Sequence, residues 1–154
     1  MPDIRNLYQK LIVDHYRNPR NFRDLPDANR RAEGHNSLCG DKLSVHLIIK
    51  NHIFEEISFN GSGCAIFVAS ASMMTEVTKG KSVQEALAIS KRFRQIVGDS
   101  SESTPEGIEM GDLKAFSGVR GYPARVKCAL LPWETLLAAL ERQSPVASRQ
   151  STVQ

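Results

Sequence analysis

The chain predicts an α+β fold, a small antiparallel sheet with helices packed on one face. Three observations carry that expectation. Leu43, Val45, Leu47 and Ile49 alternate strictly and return through Asn51-His52 to Ile57 and Phe59, which is the period-two mark of a hairpin. The long apolar stretches before and after it keep helical spacing instead. At 154 residues, with 41% hydrophobic and 24% charged residues, the chain suits one ordinary globular core.

The elements follow in order. Ile4, Leu7, Tyr8, Leu11 and Ile12 recur at helical spacing as far as Tyr16, with Asp3 as a cap and Asn18-Pro19 as the stop. Residues 20–37 carry Pro26, Gly34 and many charges without a period, so they read as loop. The hairpin sets Cys39-Gly40-Asp41 just before one strand and Cys64 just after its partner, and a short turn holds those two ends side by side. After Gly63 a helix rich in small residues runs to Thr78 and ends near Gly80. Ser82-Val83-Gln84-Glu85 is a capping box opening another helix, with Val83, Ala86, Leu87, Ser90, Phe93, Ile96 and Val97 inward. Residues 98–107 read as an acidic loop, and Leu113 to Phe116 as a short helical turn. The last helix opens at Pro123 with Val126, Leu130, Trp133, Leu137 and Leu140 on its inner stripe, and Pro132 is expected to kink or split it. Residues 1–143 read as a single domain and 144–154 as a polar, disordered tail.

Composition excludes several functions. A net charge of +3 and a pI of 8.9 are only mildly basic. The basic residues are scattered and lack interleaved aromatics, which argues against nucleic acid. No run approaches the roughly eighteen apolar residues that would cross a membrane. Three cysteines, an odd number without an apolar leader before them, fit a reducing cytoplasm better than a secreted disulfide framework. There is no P-loop, no dinucleotide glycine fingerprint and no G-x-S-x-G elbow.

The cysteines carry the chemistry. A lone cysteine most often packs as a small hydrophobe. These three sit at element edges: Cys39 in a glycine turn with Asp41 two residues on, Cys64 in a glycine-rich turn at a helix mouth, and Cys128 after a proline-opened basic turn. Three thiolates and a carboxylate make a four-coordinate site for a borderline-soft metal such as zinc, if the fold gathers them. Classical zinc-finger spacing is absent. A helix N-terminus lowers a thiol pKa, an effect expected at Cys64 and shared by Cys128, with Arg125 and Lys127 adding positive charge nearby. His35 lies in the Cys39 loop, but neither it nor His15, His46 or His52 is assigned as a ligand.

Leu7-Tyr8, Asp14-His15-Tyr16, Asn18-Pro19-Arg20-Asn21, Asn36, Cys39-Gly40-Asp41, Gly61-Ser62-Gly63-Cys64-Ala65-Ile66, Ala69-Ser70-Ala71-Ser72-Met73-Met74 and Tyr122-Pro123-Ala124-Arg125-Val126-Lys127-Cys128-Ala129 together resemble the SufU-type members of the IscU/NifU N-terminal superfamily. The resemblance covers residues 4 to about 140. It implies an α+β sandwich with a metal site of Cys39, Asp41, Cys64 and Cys128. Its scaffold members place a histidine directly before the third cysteine, where this chain has Lys127, and the segment around residues 95–112 is longer. Both departures resemble the zinc-dependent sulfur-transfer branch. Proline is common in that branch before the first cysteine, where this chain has Ser37-Leu38. The implied function is acceptance of persulfide sulfur from a pyridoxal-phosphate, SufS-like cysteine desulfurase, for downstream iron–sulfur cluster machinery. Cys39 is the expected acceptor, with Arg125 beside the reaction. A scaffold holding a transient iron–sulfur cluster on the same residues is the alternative.

Overall fold

In the computed structural model, residues 4–98 and 111–141 are described. The elements are α1 (Ile4–Arg17), β1 (Arg30–Asn36), β2 (Asp41–Lys50), β3 (Ile53–Ser62), α2 (Ala65–Thr78), α3 (Val83–Val97), a 3-10 helix (Gly111–Val119) and α4 (Pro123–Glu141). The acidic loop expected over 98–107, the lengthened segment and the polar tail all lie wholly or largely outside the described residues.

The sheet is antiparallel in the order β1-β2-β3. Asn51 and His52 both take positive φ, 54° and 64°, which is what a two-residue hairpin turn matching the strand twist demands. The hairpin pairs Val45 with Phe59 and Leu47 with Ile57, so one face becomes a continuous apolar floor. That floor forms one core cluster with Phe67 and Met74 of α2, Phe93 of α3, Phe116 of the 3-10 helix and Trp133 of α4. Phe93 stacks on Trp133 at 4.8 Å between ring centres. Each such side chain, taken fully out of water, stabilises the fold by roughly 1.5–3 kcal/mol.

Residues 20–37 are not all loop, as their sequence suggests. Seven of them form β1, paired with β2 from Arg30 opposite Leu47 to Asn36 opposite Asp41. The inward residues of β1 are Ala32 and Gly34, too small to show an apolar alternation. Smallness is required because α4 lies directly over them. A Cβ on Gly34 would run into the Thr135 hydroxyl and come within 3.2 Å of Leu131 Cδ1.

The opposite face of the sheet is partly covered by the chain between α1 and β1. Phe22 bridges in parallel to Phe59 along the outer edge of β3, and Arg23 N–H donates to the Phe59 carbonyl at 3.0 Å. The chain then crosses to the other side, where Asn29 N–H reaches the Leu47 carbonyl at 2.8 Å. Leu25 of this strap is buried, as are His46 and Ser58 on that face of the sheet, with His46 Nδ1 and Ser58 Oγ 3.3 Å apart. His46 does lie on the helix-free face, but it is enclosed.

Helix α2 starts and stops where the sequence suggests, with Lys79 as its C-cap and Gly80 at φ 84°. It is buried around nearly its whole circumference, as an apolar all-round pattern requires. Its small side chains face other helices: Ser72 accepts from the Arg20 backbone N–H and lies 2.7 Å from His15 Nδ1, while Ser70 meets α4. The capping box at Ser82 and Glu85 is formed with both of its hydrogen bonds. On α3, Leu87 is exposed and Ile89 is buried in its place. The helical turn at Leu113–Phe116 is longer than expected, a nine-residue 3-10 helix. Helix α4 continues unbroken through Pro132. Its deepest residues include Cys128, Leu131, Leu136 and Ala139, while Val126, Leu130, Leu137 and Leu140 are only partly buried. Packing against α2 on one side and the sheet on the other buries most of its circumference, which defeats a single-stripe reading.

Candidate metal centre

The three cysteine-bearing segments converge at one end of the sheet. Cys39 ends the β1–β2 connection, Asp41 opens β2, Cys64 caps α2 after β3, and Cys128 lies in the second turn of α4. The donor atoms of Cys39, Asp41 and Cys128 all lie within 4.8 Å of one another. Cys64 stands outside that tight group, though its sulfur is within hydrogen-bonding reach of Cys128.

The Cys39 turn is organised by one residue. Asn36 accepts the Cys39 and Gly40 backbone N–H groups on its carbonyl, at 3.2 and 2.8 Å, and the Leu38 N–H on its side-chain oxygen at 3.1 Å. Gly40 takes φ 75°, the left-handed conformation that lets the chain reverse into β2. Cys39 is exposed, Cys64 half-buried and Cys128 fully buried.

Asp41 is 1% exposed. Its Oδ1 accepts the Cys64 backbone N–H at 3.1 Å, so the β2 and α2 ends of the site are tied through it. Its Oδ2 is buried with no hydrogen-bond partner among the described residues. A buried carboxylate oxygen left unpaired is costly. A cation between Oδ2 and the thiols removes that cost, and soft sulfur with one hard oxygen is a donor set that suits zinc. The site therefore fits a metal. Gly63 leaves the space Asp41 occupies, since a Cβ there would strike Asp41 Oδ1 and the Phe67 ring. The sequence shows the glycines around Cys64 but not this contact.

In the bare protein the Cys128 thiol is pushed far above its ordinary pKa. Burial is the main cause, with Asp41, Cys39 and Cys64 adding to it. The lowering expected at Cys128 from the helix N-terminus does not hold, because Cys128 stands in the second turn of α4 and is dry. Arg125 is exposed on the turn before it. The Cys64 sulfur, then Cys128, hold its guanidinium pKa above the usual value. Lys127 is exposed and, with His35, borders a cavity of about 340 Å³ between the Cys39 turn and α4. His15, His46 and His52 are not part of the gathered donor group.

A three-stranded sheet roofed by helices on one face, with cysteines and an aspartate gathered at its end in a group that could hold a metal ion, defines a small α+β protein. The family model for the NifU-like N terminal domain matches residues 7–129, and the chain belongs to that family. It is 40% identical over 134 residues to the zinc-dependent sulfurtransferase SufU of Bacillus subtilis (strain 168), covering 87% of this chain and 89% of the relative. It is 35% identical over 145 residues to the iron–sulfur cluster assembly scaffold protein IscU of Thermotoga maritima, covering 92% and 97%. The crystal structure of FiSufU from Fervidobacterium islandicum AW-1, named as an iron–sulfur cluster assembly scaffold protein for the SUF system, superposes with a TM-score of 0.80 at 33% identity, over 90% of this chain and 99% of that one. The family resemblance and the fold class read from the sequence are both borne out.

Proposed function

We infer that this member of the iron–sulfur cluster assembly family is a zinc-dependent sulfur acceptor. It takes the outer sulfur of a persulfide held by a SufS-like, pyridoxal-phosphate cysteine desulfurase and passes it to downstream assembly machinery. The observation that carries this reading is the asymmetry of the donor group. Asp41 and Cys128 are buried and Cys64 is half-buried, while Cys39 is exposed on a turn, so one thiol is open to a partner at the rim of the site. The 40% identity to a protein named as a zinc-dependent sulfurtransferase supports it. So does Lys127, in the position where the scaffold branch is expected to carry histidine.

Bound by Cys39, Asp41, Cys64 and Cys128, zinc would keep the thiols deprotonated and satisfy Asp41 Oδ2. The chain's own residues do the rest. Asn36 holds the turn that presents Cys39. The Cys39 thiolate attacks the outer sulfur of the donor persulfide. A bond forms between Cys39 Sγ and that sulfur, the donor's S–S bond breaks, and the donor cysteine leaves as thiolate. Arg125, positively charged and beside the Cys64 and Cys128 sulfurs, offsets the negative charge gathered around the reacting thiolate. The reaction belongs in a reducing cytoplasm, where unpaired thiols persist. Residues 144–154 have no part in it, and residues 1–143 act as one domain.

A second reading, a scaffold that assembles a cluster on the same residues, has the identity to scaffold relatives over 92% of this chain in its favour. Desulfurase turnover separates the two. The zinc-loaded protein should accelerate alanine release by the desulfurase, and Cys39→Ala should abolish the acceleration while remaining folded. Continued stimulation by Cys39→Ala through many turnovers would overturn the acceptor assignment. A stable chromophore on adding stoichiometric iron and sulfide without oxygen, with zinc displaced, would favour the scaffold.

A further inference from the structure

Cys64 and Cys128 stand on different helices, and their spacing depends on how α2 meets α4. Helix α4 is weakened just where this matters. Pro132 has no N–H, so the Cys128 carbonyl four residues earlier loses its helical partner, and the proline ring presses on that carbonyl. The turn carrying a proposed metal ligand thus lacks a rung.

One side chain crosses to this turn. The Ser70 hydroxyl donates to the Ala129 carbonyl at 2.6 Å and accepts the Trp133 indole N–H at 3.1 Å. All three residues are essentially inaccessible to solvent. A buried hydroxyl inside a helix ordinarily bonds back to a carbonyl of its own helix. Thr75, Thr78 and Thr135 do so, to Ser72, Met74 and Leu131. Ser70 instead gives its proton to α4, at the residue next to Cys128, and Trp133 holds the hydroxyl in that rotamer. Since α2 begins directly after Cys64, the bridge fastens the helix of one thiol to the helix of the other.

We propose that Ser70, locked by Trp133, is a positioning residue that sets the spacing of Cys64 and Cys128. It braces, through the adjacent Ala129 carbonyl, the turn from which Pro132 removes a hydrogen bond. The proposal rests on the metal-centre reading above. Partners hydrogen-bonded to a ligand itself typically alter metal affinity by roughly 10–100-fold when removed, which sets the scale for a brace one residue away.

Cobalt(II), a coloured substitute for zinc, tests it. Metal-free wild type, Ser70→Ala and Trp133→Phe are titrated with Co²⁺, and the thiolate-to-cobalt and d–d bands are recorded beside the melting of each metal-free form. Wild type should take up one cobalt with intense thiolate bands. Ser70→Ala should bind roughly 10–100-fold more weakly, with reduced thiolate intensity and shifted d–d bands. Trp133→Phe should move the same way by less, and it decides the matter if Ser70→Ala does not fold. Unchanged spectra and affinity in the folded variants, whatever their melting temperatures, would overturn the positioning role. Failure of wild type to take up cobalt would overturn the metal-centre reading and this proposal with it.

Discussion

At the scale of single residues, the site is built around one carboxylate with two jobs. Asp41 Oδ1 is committed to the Cys64 backbone and Oδ2 is free for a cation. Gly63 is what allows that carboxylate to sit where it does. Gly63→Ala should push Asp41 aside, lowering zinc affinity by roughly 10–100-fold and costing about 1–3 kcal/mol through overpacking against Phe67. Chelator competition and melting of the metal-free form read the two effects separately. Wild-type affinity in the alanine variant would show that the carboxylate has slack. The three cysteine contexts and the C-x-D spacing were legible in the sequence because ligand chemistry is local. The split roles of the two Asp41 oxygens were not, since they depend on contacts 23 positions apart in the chain. The burial of Cys128 was hidden for the same reason, and with it the direction in which its thiol shifts.

At the scale of elements, the hairpin, α2 and the α3 capping box were legible because alternation, small-residue runs and cap chemistry are written in consecutive residues. Strand β1 was not. Its inward positions are Ala32 and Gly34, chosen by the closeness of α4 and not by hydrophobicity. Gly34→Ala should destabilise the fold by about 1–3 kcal/mol, because its Cβ would collide with the Thr135 hydroxyl. Adding Thr135→Ala removes the obstructing oxygen, so the double variant should be more stable than the sum of the single changes implies. Denaturant melts of the four proteins close the cycle, and strict additivity would mean that α4 simply moves away. The exposed Leu87 and buried Ile89 show the ordinary error of a helical stripe rotated by part of a turn.

At the scale of the whole molecule, two buried histidines tie stability to pH. Burial, assisted by Arg20 at His15 and by Arg31 at His46, pushes both below their ordinary pKa. The unfolded chain therefore binds protons at a pH where the folded one does not. The stability of the neutral, buried forms is complete above about pH 6.5 and is lost as pH falls from there toward the folded values. The metal-free protein should show this loss below neutrality, and His15→Gln should flatten it while still offering Ser72 a hydrogen-bonding partner. An unaltered slope would assign the effect elsewhere. Metal removal acts on the same balance. A structural zinc site contributes about 10 kcal/mol or more of apparent binding energy, beside a typical total stability of roughly 5–15 kcal/mol. Chelation should lower the melting temperature by many degrees, yet leave a cooperative transition because the core does not depend on the site. A melting curve indifferent to chelator would remove the site from the account of stability.

The bridge from Phe22 to Phe59 has a consequence for how the molecule behaves in a crowd. An open strand edge is a template on which a second chain can add. The bridge occupies part of that edge on β3. At the other side stands β1, seven residues long, carrying Arg30, Arg31 and Glu33, with Gly34 interrupting its side chains. Short length and charge are the usual guards against edge-to-edge growth into fibrils. Such an edge is a poor template for stacking on copies of the same chain. Replacing Arg31 and Glu33 together with valine should remove the guard, and concentrated samples should bind amyloid dyes while dilute ones stay monodisperse. If the valine pair remained dye-negative at every concentration, the charges on β1 would have some other purpose.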